Sequence, residues 1–215
     1  EFFLNEKNHP ALRMVYLLDK LYNWHRRQKH PESALETQLE RIRKLRAIFD
    51  SDKQRDILLK ALDKLLAEYT NYPWWAMGQY EYATLLEKKG ELVAAHRAGM
   101  AGWKKYPDSI GGKRCHYLAR SLETPAFRIQ TMTLDRTGAR SIEVNHKNLD
   151  KLYFRAYQVD FRKWVNRKYR YFGNIHSDHL RWLLDNLQPA ASWQVTLPDL
   201  GDYRLRLAER RRLVE

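Results

Sequence analysis

Two Tyr-Pro pairs, Tyr72-Pro73 and Tyr106-Pro107, stand 34 residues apart, and this spacing constrains the fold more than any other feature of the chain. A proline ends or opens a helix because its ring fixes φ and removes an amide donor. Two such stops at this distance leave room for one antiparallel helical hairpin between them. The intervening residues fit that unit, with expected helices over about 74 to 88 and 91 to 105 separated by Gly90.

A 34-residue period is the length of a tetratricopeptide repeat. Ala83, Gly90, Ala95 and Pro107 fall where such a hairpin needs small residues at the helix crossing, a turn glycine and a terminating proline. Gly99 replaces a residue that is normally aromatic and Gly102 one that is normally alanine, so the repeat is degenerate. A generic helix bundle with two Tyr-Pro turns is the alternative. Upstream, apolar residues recur at helical spacing: Leu12, Val15, Leu18 and Tyr22, then Leu35, Leu39, Ile42, Leu45 and Phe49, then Leu58, Leu62, Leu65 and Tyr69. Asp52 is the expected N-cap of the third of these helices. Pro107-Asp108-Ser109 opens a further helix that runs to about Leu122.

Beyond Pro125 the pattern changes to alternation. Phe127 to Gln130, Ser141 to Val144, Lys151 to Tyr157 and Ser192 to Leu197 are rich in branched and aromatic residues at period two, which predicts short antiparallel strands. Asp135 to Gly138 and Asn145 to Asn148 are expected turns, and Asp199 to Asp202 turns into a strand over Tyr203 to Leu207. Trp164, Tyr171, Leu180, Leu183, Leu184 and Leu187 break the alternation and predict a helical insertion at about 161–187. The fold class is therefore α+β: a helical-repeat, tetratricopeptide-like bundle over residues 1–123, then a partial antiparallel β-sandwich with a helical insertion over 124–215.

The net charge of +13 raises nucleic acid as a partner. It is spread along the chain, with an excess of +3 over residues 1 to 50, +4 over 51 to 122 and +6 over 123 to 215, so no segment carries a binding stripe. The run Arg210 to Arg212 is read as a solvated strand face, and no nucleic acid is expected. No stretch approaches the roughly 18 apolar residues of a membrane span. The start, Glu1-Phe2-Phe3-Leu4, lacks an initiator Met and the features of a signal peptide, and an internal or processed fragment is the expectation.

Little in the chain promises catalysis. Phosphate-loop and GxSxG patterns are absent. The lone Cys115 adjoins His116, and neighbours on a helix point about 100° apart, which suits a buried thiol better than a nucleophile with its base. His176 and His179 have helix-face spacing for a metal but no supporting carboxylate or third histidine, and are read as surface residues. The aromatic set Trp74, Trp75, Tyr80, Tyr82 and Trp103 fits a stacking groove or packing between hairpins, with packing preferred. No catalytic, cofactor-binding or metal residue is assigned, and the chain is expected not to be an enzyme.

Several runs carry a resemblance. Gly112-Lys113-Arg114-Cys115 after Tyr106-Pro107-Asp108-Ser109, then Ile129-Gln130-Thr131, the run Val144 to Arg155, and Ser192 to Pro198 with Gly201-Asp202-Tyr203, resemble the large bacterial α2-macroglobulin family proteins. The resemblance implies a tetratricopeptide-like region ahead of a macroglobulin-like β-sandwich, inside a very large protein of the periplasm or cell envelope, in some members lipoprotein-anchored, that traps proteases as an endopeptidase inhibitor. The implied partners are other domains of the same polypeptide and, for the whole protein, proteases. The family's bait region and its CxEQ thioester motif have no counterpart here, since Cys115 is followed by His116-Tyr117-Leu118, so no functional residue carries over. From Thr124 onward roughly 65 residues remain for strands and turns, against about 100 in a seven-stranded sandwich, and an incomplete sandwich is expected.

Overall fold

The computed structural model describes residues 9–131, 140–158, 177–198 and 200–213, and it is mixed α+β with small antiparallel sheets. Contacts divide the chain into two compact units, one running up to Thr124 and including Gly201–Arg204, the other comprising Pro125–Leu200 and Leu205 onward.

The first unit holds α1 (Pro10–Arg27), α2 (Pro31–Ile48), α3 (Asp52–Glu68), α4 (Trp75–Lys88), α5 (Leu92–Lys105) and α6 (Ile110–Glu123). Pro10 and Pro31 occupy first-turn positions, where a missing amide costs no helical bond. The N-cap of α3 is Ser51, not Asp52. Ser51 Oγ accepts from Gln54 N, while Gln54 Oε1 accepts from Ser51 N at 3.0 Å, a reciprocal capping box that Asp52, one residue further in, has no geometry to make. Ser109 caps α6 by accepting from Gly112 N at 2.9 Å. Gly90 closes α4 at φ +79°, a conformation that glycine adopts without the steric cost a side chain brings.

The core of this unit is apolar and continuous from α2 to α6. Leu35, Leu39 and Ile42 of α2, Leu58, Leu59, Leu62 and Leu66 of α3, and Leu85 and Leu86 of α4 are all buried. Each such leucine contributes roughly 1.5–3 kcal/mol relative to exposure. Leu12 and Phe49, at helical spacing with apolar residues of α1 and α2, are exposed: α1 packs chiefly against α2, and Phe49 lies past the end of α2. Helices α4, α5 and α6 pack mutually. The two Tyr-Pro corners touch: Tyr106 Oη donates to Thr70 O at 2.8 Å, and the Tyr106 ring meets Trp75 edge-on.

The small residues at the α4–α5–α6 crossing have a steric cause. A Cβ on Gly99 would sit 3.1 Å from the backbone oxygen of Cys115, and one on Gly102 would sit 2.5 Å from Cys115 Sγ. At both glycines of α5, Cys115 of α6 occupies the space that a side chain would need. The segment Gly201–Arg204 also belongs to this unit: Tyr203 rests against the His96 ring, and Arg204 donates to Gly90 O at 3.2 Å. His96 is hydrogen-bonded to Glu123 at 2.7 Å, which holds the Glu123 carboxyl below its usual value.

The second unit contains β1 (Ala126–Thr131), β2 (Arg140–Lys147), β3 (Lys151–Ala156), α7 (Ser177–Asn186), β4 (Ala191–Thr196) and β5 (Arg206–Leu213). Strands β1, β2 and β5 form one antiparallel sheet in that order, and β3 pairs with β4. Asn145 to Lys147, expected as a turn, continue β2, because β1 pairs with all three and β5 with Asn145 and His146. The turn begins at Asn148, where φ is +53° and asparagine is tolerated. Likewise the last strand starts at Arg206, not Tyr203, since Gly201 and Tyr203 both have positive φ and cannot join a ladder. One extra residue, Ala208, bulges β5 between the partners of Val144 and Asn145.

In the β3–β4 pair, Leu152, Phe154 and Ala156 share a face with Val195, Trp193 and Ala191. The Phe154 and Trp193 rings stack across it at 4.9 Å. Of the expected insertion at 161–187, α7 is described, whereas Trp164, Tyr171 and the expected turn at Asp135 to Gly138 lie outside the described residues.

Candidate functional site

The aromatic set disperses when the chain folds. Trp75 is buried, and Trp74, Tyr80 and Tyr82 pack against the core cluster. Trp103 instead stacks on His116, with centroids 4.2 Å apart and planes at 20°. Trp74 is an anchor for the first Tyr-Pro corner: its Nε1 donates to Glu36 at 2.6 Å and its backbone N donates to Glu32 at 3.1 Å.

Part of the set does line a groove. Tyr80, Thr84 and Glu87 of α4 face Arg114, Tyr117, Leu118 and Ser121 of α6 across a concavity of about 350 Å³. The Arg114 guanidinium lies 5.8 Å from the Tyr80 ring centroid, and Tyr117 is 76% exposed. This is a surface with aromatic faces, one cation and one carboxylate, which can stack on planar groups and pair with charges of either sign. The 34-residue period held the signal for the α6 side. Adding it to Tyr80, Thr84 and Glu87 gives Arg114, Leu118 and Ser121. A second concavity, about 580 Å³, opens between α1, α2 and α3 over Ile42, Leu45, Leu58 and Leu65, with the Asp19–Arg41 ion pair at its rim.

A charged network that no local sequence pattern marks joins α2 to α4. Glu81 is 4% exposed, and its carboxylate accepts from Arg43 Nε at 2.7 Å and from Arg46 Nη1 at 3.2 Å. Arg43 Nη1 also reaches Glu36 at 2.6 Å and Glu40 at 3.2 Å. Burial opposes the charge on Arg43, but its hydrogen bonds to Glu36 and Glu81 outweigh that and hold the guanidinium above its ordinary value.

Cys115 is fully buried, and its Sγ donates to Ala76 O at 3.2 Å. Burial pushes the thiol up to about 12, so the thiolate that a nucleophile requires is scarce at neutral pH. With His116 stacked on Trp103, the two neighbours face different surroundings. His176 lies outside the described residues, and His179 is described only by its place in α7. Among the described residues no group of three or more His, Cys, Asp or Glu is placed to hold a metal.

Among the described residues of the second unit, a buried titratable group is His146 on β2, 4% exposed and paired with Phe127 and Arg206. Burial, reinforced by the charge of Arg206, holds its imidazole below the ordinary histidine value. The folded state therefore prefers the neutral ring, while the unfolded chain takes up the proton near pH ~6.5. Stability from this group is full above that pH and is lost as pH falls toward the lower, folded value. The expected result is a thermal midpoint for the β unit that drops between about pH 7.5 and pH 5.5, with the drop flattened by His146→Gln. An identical drop in the variant, followed by circular dichroism, contradicts the assignment.

No helix among the described residues is long and apolar enough to cross a membrane. Comparison with models of known protein families, with curated proteins and with solved structures finds no match.

Proposed function

We propose that this chain is a non-catalytic structural and interaction segment of a bacterial α2-macroglobulin-type protease trap of the cell envelope. In this reading tetratricopeptide-like hairpins precede a macroglobulin-like β-sandwich that is incomplete in itself. The observation that carries the helical half is the contact between the two Tyr-Pro corners, Tyr106 Oη to Thr70 O, one repeat apart in sequence. Hairpins that recur at a fixed period stack their corners in this way, because each must bury an apolar face on its neighbour. The β half draws support from the antiparallel strands on either side of Asn148, which coincide with the runs Val144 to Arg155 and Ser192 to Pro198 that carry the family resemblance.

The role of the chain is then to position other domains of the same polypeptide. The polypeptide made from the whole reading frame that contains this chain is the material for the test, mixed with trypsin. The proposal expects cleavage of a large protein substrate to fall at least tenfold while cleavage of a small chromogenic peptide is spared, and it expects the 215-residue chain alone to change neither. Unchanged cleavage of the large substrate by the whole polypeptide sinks it.

A second reading, a peptide-binding adaptor, is favoured by one observation, the Tyr80–Arg114–Tyr117 groove between α4 and α6. It differs from the first in expecting the isolated chain to hold a peptide there, and Tyr117→Ala to weaken that binding.

A further inference from the structure

Strand β1 stands at the edge of the three-stranded sheet, and among the described residues only β2 pairs with it. Directly opposed residues of an antiparallel pair project to the same face. Phe127 lies opposite His146 and Ile129 opposite Val144, so these four side chains share one face. Over β2 that face is covered, with Val144 1% and His146 4% exposed. Over β1 it is open, with Phe127 61% and Ile129 54% exposed. A continuous face thus passes from covered to bare within one strand spacing, and the bare part borders an edge whose outward backbone groups meet no strand among the described residues.

The geometry points to the β1 edge as a strand-acceptor site that takes an extended peptide segment with alternating apolar and acidic side chains. The backbone ladder selects an extended chain, as in other cases of strand addition. Its apolar residues continue the row of Phe127 and Ile129 over the bare part of the face. On the opposite face the edge presents Arg128, and the chain as a whole carries +13. That charge disfavours a second copy of this chain and favours an acidic occupant. The site follows from the sheet alone and holds under either functional reading.

The test uses the 215-residue chain and a fluorescein-labelled peptide of about ten residues that alternates valine with glutamate. Two control peptides carry lysine in place of glutamate, or the same residues in scrambled order. The expected result is binding of the valine–glutamate peptide, at least ~tenfold weaker binding of both controls, and slowed amide exchange along β1 in the complex. The edge variant Ile129→Lys places a charge on the open row without altering a buried position, and it lowers affinity by a further ~tenfold or more. A second variant, Leu17→Ala on the exposed face of α1, leaves affinity unchanged, whereas a peptide held in the α4–α6 groove would be weakened by Tyr117→Ala. No binding, equal binding of the lysine peptide, loss of affinity in Tyr117→Ala but not Ile129→Lys, or dimerisation of the chain through β1 each overturns the proposal.

Discussion

Replacing Gly111 with alanine is expected to cost the helical unit about 3 kcal/mol, the upper end of overpacking penalties. A Cβ at Gly111 would fall inside the van der Waals envelope of Met77 N and within 2.7 Å of Met77 Cα. Both partners are backbone of α4, so no rotamer change relieves the clash, and α6 must move off α4. At Gly78, by contrast, the obstructing atom is the end of the flexible Leu66 side chain. Gly90→Ala is the comparison, since nothing lies within 4 Å of its added Cβ. Its cost of roughly 1 kcal/mol comes only from the left-handed backbone. Urea unfolding followed by far-ultraviolet circular dichroism separates the two, and equal losses would mean that α6 does not meet α4 at Gly111.

The second large effect is at the α2–α4 network. Arg43→Leu leaves the Glu81 carboxylate, 4% exposed, with Arg46 as its one cation among the described residues. Breaking a buried pair typically costs about 3–5 kcal/mol. Here the guanidinium groups remain 23% and 21% exposed, so about 2 kcal/mol is expected. Arg43→Lys is not a conservative change, because one ammonium cannot reproduce bonds from both Nε to Glu81 and Nη1 to Glu36. The double variant Arg43→Leu, Glu81→Leu should lose less than the sum of the single changes, by about 2 kcal/mol of coupling. Strict additivity would show that the network contributes nothing as a unit.

Much of the helical unit was legible in the sequence, because periodicity records which face of a helix is buried. Leu35, Leu39, Ile42, Leu58 and Leu62 were all identified that way and all are in the core. The N-cap of α3 was misplaced by one residue because Ser51 and Asp52 are both good caps by type. The Gln54 that completes the capping box was the local signal that separates them. The Glu81 network was not legible, since Arg43 and Glu81 are 38 residues apart and nothing local marks either as buried.

In the β unit, strand texture was readable but pairing was not. Asn145 to Lys147 have turn-forming composition, and only the ladders to β1 and β5 override it. Nor does alternation reveal that β2 joins β5 across more than fifty residues of chain, because loop closure leaves no trace in local pattern. The α4–α6 groove was half legible, through Tyr80. Its other half, Arg114, Leu118 and Ser121, lies one 34-residue period beyond Tyr80, Thr84 and Glu87.

The hairpin between the two Tyr-Pro corners, α4 and α5, and the helix that follows the second corner, α6, are expected to form one cooperative stack in which all three stand or fall together. Native-state hydrogen exchange on the whole chain tests it most directly. The account predicts that the slowest amides of α4, α5 and α6 open with one common free energy, and that Gly111→Ala lowers all three by the same amount. Exchange of α6 as a separate, weaker unit, with α4 and α5 unaffected by the substitution, would contradict it.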